Sequence, residues 1–134
     1  MAALTADRNT PMRDGELISF QVKAAAKIYA GSIVVSDAGY AKPGAKAENL
    51  IYLGRAEEQV DNTGGADGAV SVLVRRGRAF QWANADGANA AAQADVGKPA
   101  YIFDDQTVTD VAAGASKMGD AIILAVDSDG VWVG

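Results

Sequence analysis

One stretch, Ala69–Ala83 (AVSVLVRRGRAFQWA), narrows the possible folds more than any other. Val70, Val72 and Val74 alternate with Ser71, Leu73 and Arg75. Side chains on a strand change face at every residue, so this alternation marks a half-buried β-strand. The same parity resumes after Gly77 with Phe80 and Trp82. Arg76 and Arg78 also fall on it, and a continuous core face would bury both guanidinium groups without partners. Glycine inside a strand pattern marks a bulge or bend. The stretch therefore reads as two apolar strand halves joined by a kinked basic segment, Arg75–Arg78. Val72, Val74, Phe80 and Trp82 are predicted core anchors, and the three arginines are predicted to lie at a rim or contact surface.

The rest of the chain follows the same short-strand pattern. Strands are predicted at Leu17–Val22, Lys27–Ala30, Ile33–Val35, Tyr40–Lys42 and Leu50–Glu57, where Gly54 signals a bulge or a close backbone approach. Further strands are expected at Lys98–Phe103 and Gln106–Thr109. Ala121–Val126 (AIILAV) is a continuous apolar run, the pattern of a strand buried on both faces, which would place Leu124 in the core. Asp-Gly at 129–130 turns that run into Val131–Val133, with Trp132 assigned to the core. Ala90–Val96 is the one segment with helical character, and it is short. The sum is an all-β, compact single domain of about nine short strands, a sandwich or a barrel, with at most one short helix. A chain of 134 residues suits one core, and its 15 glycines suit many tight turns. Residues 1–15 are polar, contain Pro11 and read as an extended N-terminal arm, so the β domain is expected over 16–134.

Composition removes much chemistry. There is no cysteine, so disulfides and thiolate metal sites are excluded. There is no histidine, which removes the commonest general base and metal ligand. The loop Asp61–Gly68 matches neither the P-loop nor the dinucleotide fingerprint and reads as a turn. Asp127 with Asp129 supply too few oxygens for a calcium cage. The adjacent pairs Asp104–Asp105 and Glu57–Glu58 point to opposite faces of a strand, so neither makes a shared-proton dyad. No catalysis, metal or cofactor is expected. No apolar run approaches the roughly 20 residues of a membrane span, and the N-terminus lacks a secretory pattern. A soluble chain made without export, and no membrane partner, are the expectations. The net charge of −5 argues against nucleic acid. Arg75, Arg76 and Arg78 form the one tight basic cluster, suited to carboxylates on a protein partner or within the chain, where Glu57 and Glu58 lie across the loop.

Several segments, in order, resemble the capsid cement (decoration) proteins of tailed bacteriophages. They are LTADRNTP and RDGE, then KIYAG, then GRAEEQVDNTGGADGAVSVLVRRG, then DVGKPAYIFDDQTV and the closing DGVWV. The resemblance runs from Leu4 to Val133. It implies a jelly-roll-like sandwich, a homodimer or homotrimer, no catalysis, and a place on the outer surface of the virion head, where the major capsid protein is the partner. It carries over no established functional residues. On the chain's own chemistry, Arg8, Pro11 and Arg13 of the arm and Arg75, Arg76 and Arg78 are the candidate interface residues. The alternative is a surface-displayed sandwich that binds carbohydrate, with Tyr40, Tyr52 or Tyr101 stacking on sugar rings.

Overall fold

A computed structural model describes residues 2–134; Met1, the first residue of the expected arm, lies outside them. Its centre is three consecutive β-branched residues, Ile33, Val34 and Val35, all fully buried. A strand can bury consecutive residues only when both of its faces are covered. These three belong to β3 (Ile33–Asp37), in an antiparallel sheet with β1 (Leu17–Gln21), β4 (Tyr40–Pro43), β5 (Ile51–Ala56) and β7 (Ser71–Arg75). The sheet order is β1-β7-β5-β3-β4. It curls far enough for Val22, just past β1, to form a bridge with Ala41 of β4. On one side Val34 packs with Val22, Ile28, Val72 and Val74, beneath the short ladder of β2 (Lys27–Ile28) and β6 (Val60–Asp61). On the other side Ile33 and Val35 pack against a closed five-stranded barrel.

That barrel is built from β8 (Phe80–Asn84), β9 (Pro99–Ile102), β10 (Thr107–Thr109), β11 (Lys117–Asp127) and β12 (Gly130–Val133), in the order β10-β8-β12-β11-β9. Phe80, Trp82, Ile102, Val108, Met118, Ile123, Val131 and Val133 fill its core. The domain is all-β, as the strand pattern predicts, with twelve strands rather than about nine. It combines a curled sheet with a small barrel instead of facing two sheets in a jelly roll. Helix is limited to single 3-10 turns at Gly87–Asn89 and Gln93–Asp95. The alanine-rich segment stays irregular because Asn84 clamps it: its Nδ2 donates to the Ala91 carbonyl at 2.9 Å, and its Oδ1 accepts from the Ala91 amide at 2.8 Å.

The two halves of the Ala69–Ala83 stretch belong to different layers. Val72 and Val74 of β7 enter the sheet core; Phe80 and Trp82 of β8 enter the barrel core, ring centroids 5.7 Å apart. The basic segment between them is the crossover, and Gly77 takes the left-handed turn there at φ +68°. Gly54 meets both expectations for it. The β3–β5 register slips beside it, and a Cβ at this position would sit 2.2 Å from the Arg75 carbonyl oxygen.

Two core assignments are corrected. Leu124 is 45% exposed and Trp132 is 39% exposed. The apolar run of β11 is not buried on both faces: it walls a barrel, so only one face is covered. Ile123 takes the inward position, so its neighbour Leu124 faces out, and a bulge between Ile123 and Ala125, opposite Val133 and Trp132, leaves Ala125 outward as well. In β12 the inward positions go to Val131 and Val133, which leaves Trp132 on the outer face between Gln81 of β8 and Ala125 of β11.

Candidate protein-docking face

The arm and the basic crossover meet at one place. Every residue from Ala2 to Leu17 is exposed, including Arg8, Pro11 and Arg13, and no strand forms before β1. Within the arm, Arg8 donates to Thr10 Oγ1 at 3.0 Å. At its root the Asp14 carboxylate accepts from the Glu16 amide at 2.9 Å, closing a turn. The Glu16 carbonyl then accepts from the Arg76 amide at 2.7 Å, and Leu17 pairs with Arg75. The arm therefore leaves the domain beside the crossover.

Each crossover arginine has an intrachain partner. Arg75 Nε lies 3.3 Å from the Glu57 carboxylate, which Arg55 also contacts at 2.5 Å. The Arg55 hydrogen bond is the main reason that the Glu57 carboxyl is held below its ordinary range, with Arg75 adding to it. The Arg55 guanidinium also lies over the Phe80 ring, 4.8 Å from its centroid. Arg76 donates to the Leu53 carbonyl at 3.2 Å. Arg78 pairs with Glu16 at 2.8 Å, with about half of each side chain in solvent. The expected meeting of Glu57 and Arg75 occurs; Arg55 and Glu16 join the cluster only through the sheet topology.

Around these residues lie two open grooves. One, of about 710 Å³, runs between the arm root at Gly15, the crossover, and Leu124 on the barrel wall. The other, of about 490 Å³, lies between Arg55, Arg75, Phe80 and Trp132. They share Arg78 and Ala79 as a saddle. The two residues displaced from the core thus flank the crossover, one in each groove.

Of the other acidic candidates, Asp127 and Asp104 close turns, while Glu58 caps a backbone amide of β7. Asp127 accepts from the amides of Asp129 at 2.8 Å and Gly130 at 3.2 Å. Asp104 accepts from the Gln106 amide at 2.9 Å, and Glu58 from the Leu73 amide at 3.1 Å. In the loop after β6, the buried Asn62 side chain donates to the carbonyls of Lys23 at 2.9 Å and Ala66 at 3.0 Å. Among the described residues no group of three or more acidic side chains is placed to hold a metal ion. One acidic pair has no signal in the sequence: Asp95, in the second 3-10 turn, and Asp110, just after β10. Burial and the neighbouring Asp95 push the Asp110 carboxyl up, while the Ala92 amide, donating at 2.8 Å, helps hold Asp95 down.

Of the tyrosines considered for sugar stacking, Tyr40 and Tyr101 are half-buried, and Tyr52 packs against the barrel core. Burial pushes the Tyr52 hydroxyl up to about 12. The exposed Tyr29 borders a shallow depression of about 320 Å³ with Asp105 and Gln106, and Lys27 lies over its ring. Among the described residues no helix is long and apolar enough to cross a membrane. Comparison with protein-family models, with curated proteins and with solved structures gave no match for this chain.

Proposed function

We propose that this chain is a non-catalytic structural protein of a tailed-phage head. It binds the outer surface of the capsid as a homo-oligomer and bridges subunits of the major capsid protein. The observation that carries the reading is the ordered set of segments from Leu4 to Val133 that resembles the capsid cement proteins. The architecture suits the role. A clamp needs an unreactive body and several separate contacts, because simultaneous engagement of neighbouring subunits raises effective affinity without new chemistry. The exposed arm and the crossover face supply two such contacts. An acidic chain also suits the outside of a head better than its DNA-filled interior.

The test is sedimentation of the purified protein with empty expanded heads, beside the protein alone for its own mass. Co-sedimentation at saturable occupancy supports the reading; absence from the head fraction defeats it. Deletion of residues 2–14 is expected to lower occupancy while leaving the melting temperature in place, since those residues are exposed and form no strand. The carbohydrate reading has less behind it, because its three tyrosines do not form an open platform.

A further inference from the structure

We propose that the paired grooves flanking the crossover are the docking site for one segment of the partner coat protein. That segment carries a leucine-sized or aromatic side chain flanked by carboxylates. The proposal rests on the head-binding reading and adds to it the surface and the chemistry of the contact.

Three observations converge on this face. First, the chain has six arginines, two in the arm and four at the grooves: Arg55, Arg75, Arg76 and Arg78. None of the six lysines lines either groove. Arginine presents a planar fork that grips carboxylates bidentately, which a lysine cannot do, so this segregation points to acidic groups as the ligand. Second, the side-chain charge is locally reversed. The side chains of the four arginines stand against those of Glu16, Glu57 and Asp120, a side-chain sum of +1 on a chain whose side chains total −5. Much of the arginine donor capacity is unspent: Arg76 donates through Nε to a single carbonyl, and Arg78 holds Glu16 through one nitrogen in the open. Third, the apolar component is exposed beside the charges. Leu124 and Trp132 project outward from adjacent strands, one in each groove, joined across Arg78 and Ala79. Exposed tryptophan with arginine around a concave surface is the composition of interface hot spots.

A segment lying across the Arg78–Ala79 saddle reaches both grooves. Its apolar side chain covers Leu124 or the Trp132 ring, and its carboxylates meet Arg76 and Arg78. The occupant is not a stray basic peptide, because the same arginines would repel it.

The test uses the full-length protein and two readouts. In the first, short synthetic peptides with a central leucine or tryptophan flanked by aspartates are compared with matched peptides carrying lysine instead. The acidic set is expected to bind and the basic set is not. Trp132→Gln, Leu124→Asp and the double change Arg76→Glu with Arg78→Glu are each expected to weaken binding about tenfold or more. No binding of the acidic set, equal binding of both sets, or binding that the variants leave unchanged overturns the proposal. The variants sit on three different elements, so a folding defect in one, seen as a lowered melting temperature, leaves the other two to decide. In the second readout the same variants are sedimented with expanded heads. Wild-type protein that loads beside depleted variants supports the docking site. Variants that load at wild-type occupancy overturn it and leave the head-binding reading standing. Wild-type protein that fails to load defeats the head-binding reading, and the peptide result then decides the groove alone.

Discussion

Trp82 is the residue on which the barrel depends most visibly. Its ring is 4% exposed, packs with Phe80, and is enclosed by both the barrel strands and the sheet above. Its indole nitrogen is buried with no hydrogen-bond acceptor, so packing alone retains it. Trp82→Ala is expected to cost about 3–5 kcal/mol, read as a drop in the denaturant midpoint. Trp132→Ala, on the outer face, is expected to change stability by less than about 0.5 kcal/mol. Equal losses for both would show that their burial has been misplaced.

The Asp95–Asp110 pair makes a second prediction at this scale, and its sign follows from protonation. A carboxyl whose folded-state value is raised holds its proton longer than in the unfolded chain. Asp110 therefore withdraws stability as pH rises from its ordinary 3.8 through the raised value. Asp95 and Glu57, held low, act oppositely: their contribution is present above the ordinary range and is lost as pH falls through the depressed values. Asp110→Asn removes the charge that faces Asp95 while keeping the shape. It is expected to raise the melting temperature at neutral pH, with the gain shrinking towards pH values below 3.8, where wild-type Asp110 is already protonated. A gain independent of pH would reject this account.

Among the elements, the ladder between β5 and β7 carries the tightest constraint. Arg55 pairs with Arg75 and Ala56 with Val74, while Gly54 lets the Arg75 carbonyl approach to where a side chain would begin. Gly54→Ala must push the strands apart and also holds alanine at φ +150°. A loss well above about 1 kcal/mol is expected, with faster hydrogen exchange in β5 and β7 than elsewhere.

What was legible in the sequence also sorts by element. The alternation at Val70–Val74 and at Phe80–Trp82 was readable because one face of each strand is covered, and a period of two survives that arrangement. The run AIILAV misled because an uninterrupted apolar stretch does not say whether both faces are covered, and a bulge inside it has no sequence mark. Trp132 departs from the default burial of apolar strand residues because Val131 and Val133 on either side claim the inward positions. The pairing of β2 with β6, and of Asp95 with Asp110, depends on segments tens of residues or two strands apart, which local pattern does not encode. At the crossover the Arg75–Arg78 cluster was visible, but Arg55 and Glu16 reach it only through the sheet order β1-β7-β5.

For the whole molecule, the two cores meet across β3 and β5; in β5, Tyr52 packs on the barrel core while Leu53 and Ala56 pack in the sheet core, and β3 is buried on both faces. Val34 faces the sheet core, and Ile33 and Val35 face the barrel core. Val34→Ala and Val35→Ala are each predicted to destabilise by roughly 1–3 kcal/mol. Both variants are expected to melt in one cooperative transition, because these strands join the layers; two separated transitions in calorimetry would show that sheet and barrel unfold independently.

The arm's attachment has a mechanical corollary. It enters the body through β1, whose five residues from Leu17 to Gln21 lie antiparallel to β7. A pull on the N-terminus along that strand loads the whole ladder in shear, so its bonds must yield together rather than unzip in turn. Any load applied to the arm would be resisted at the strand's full length.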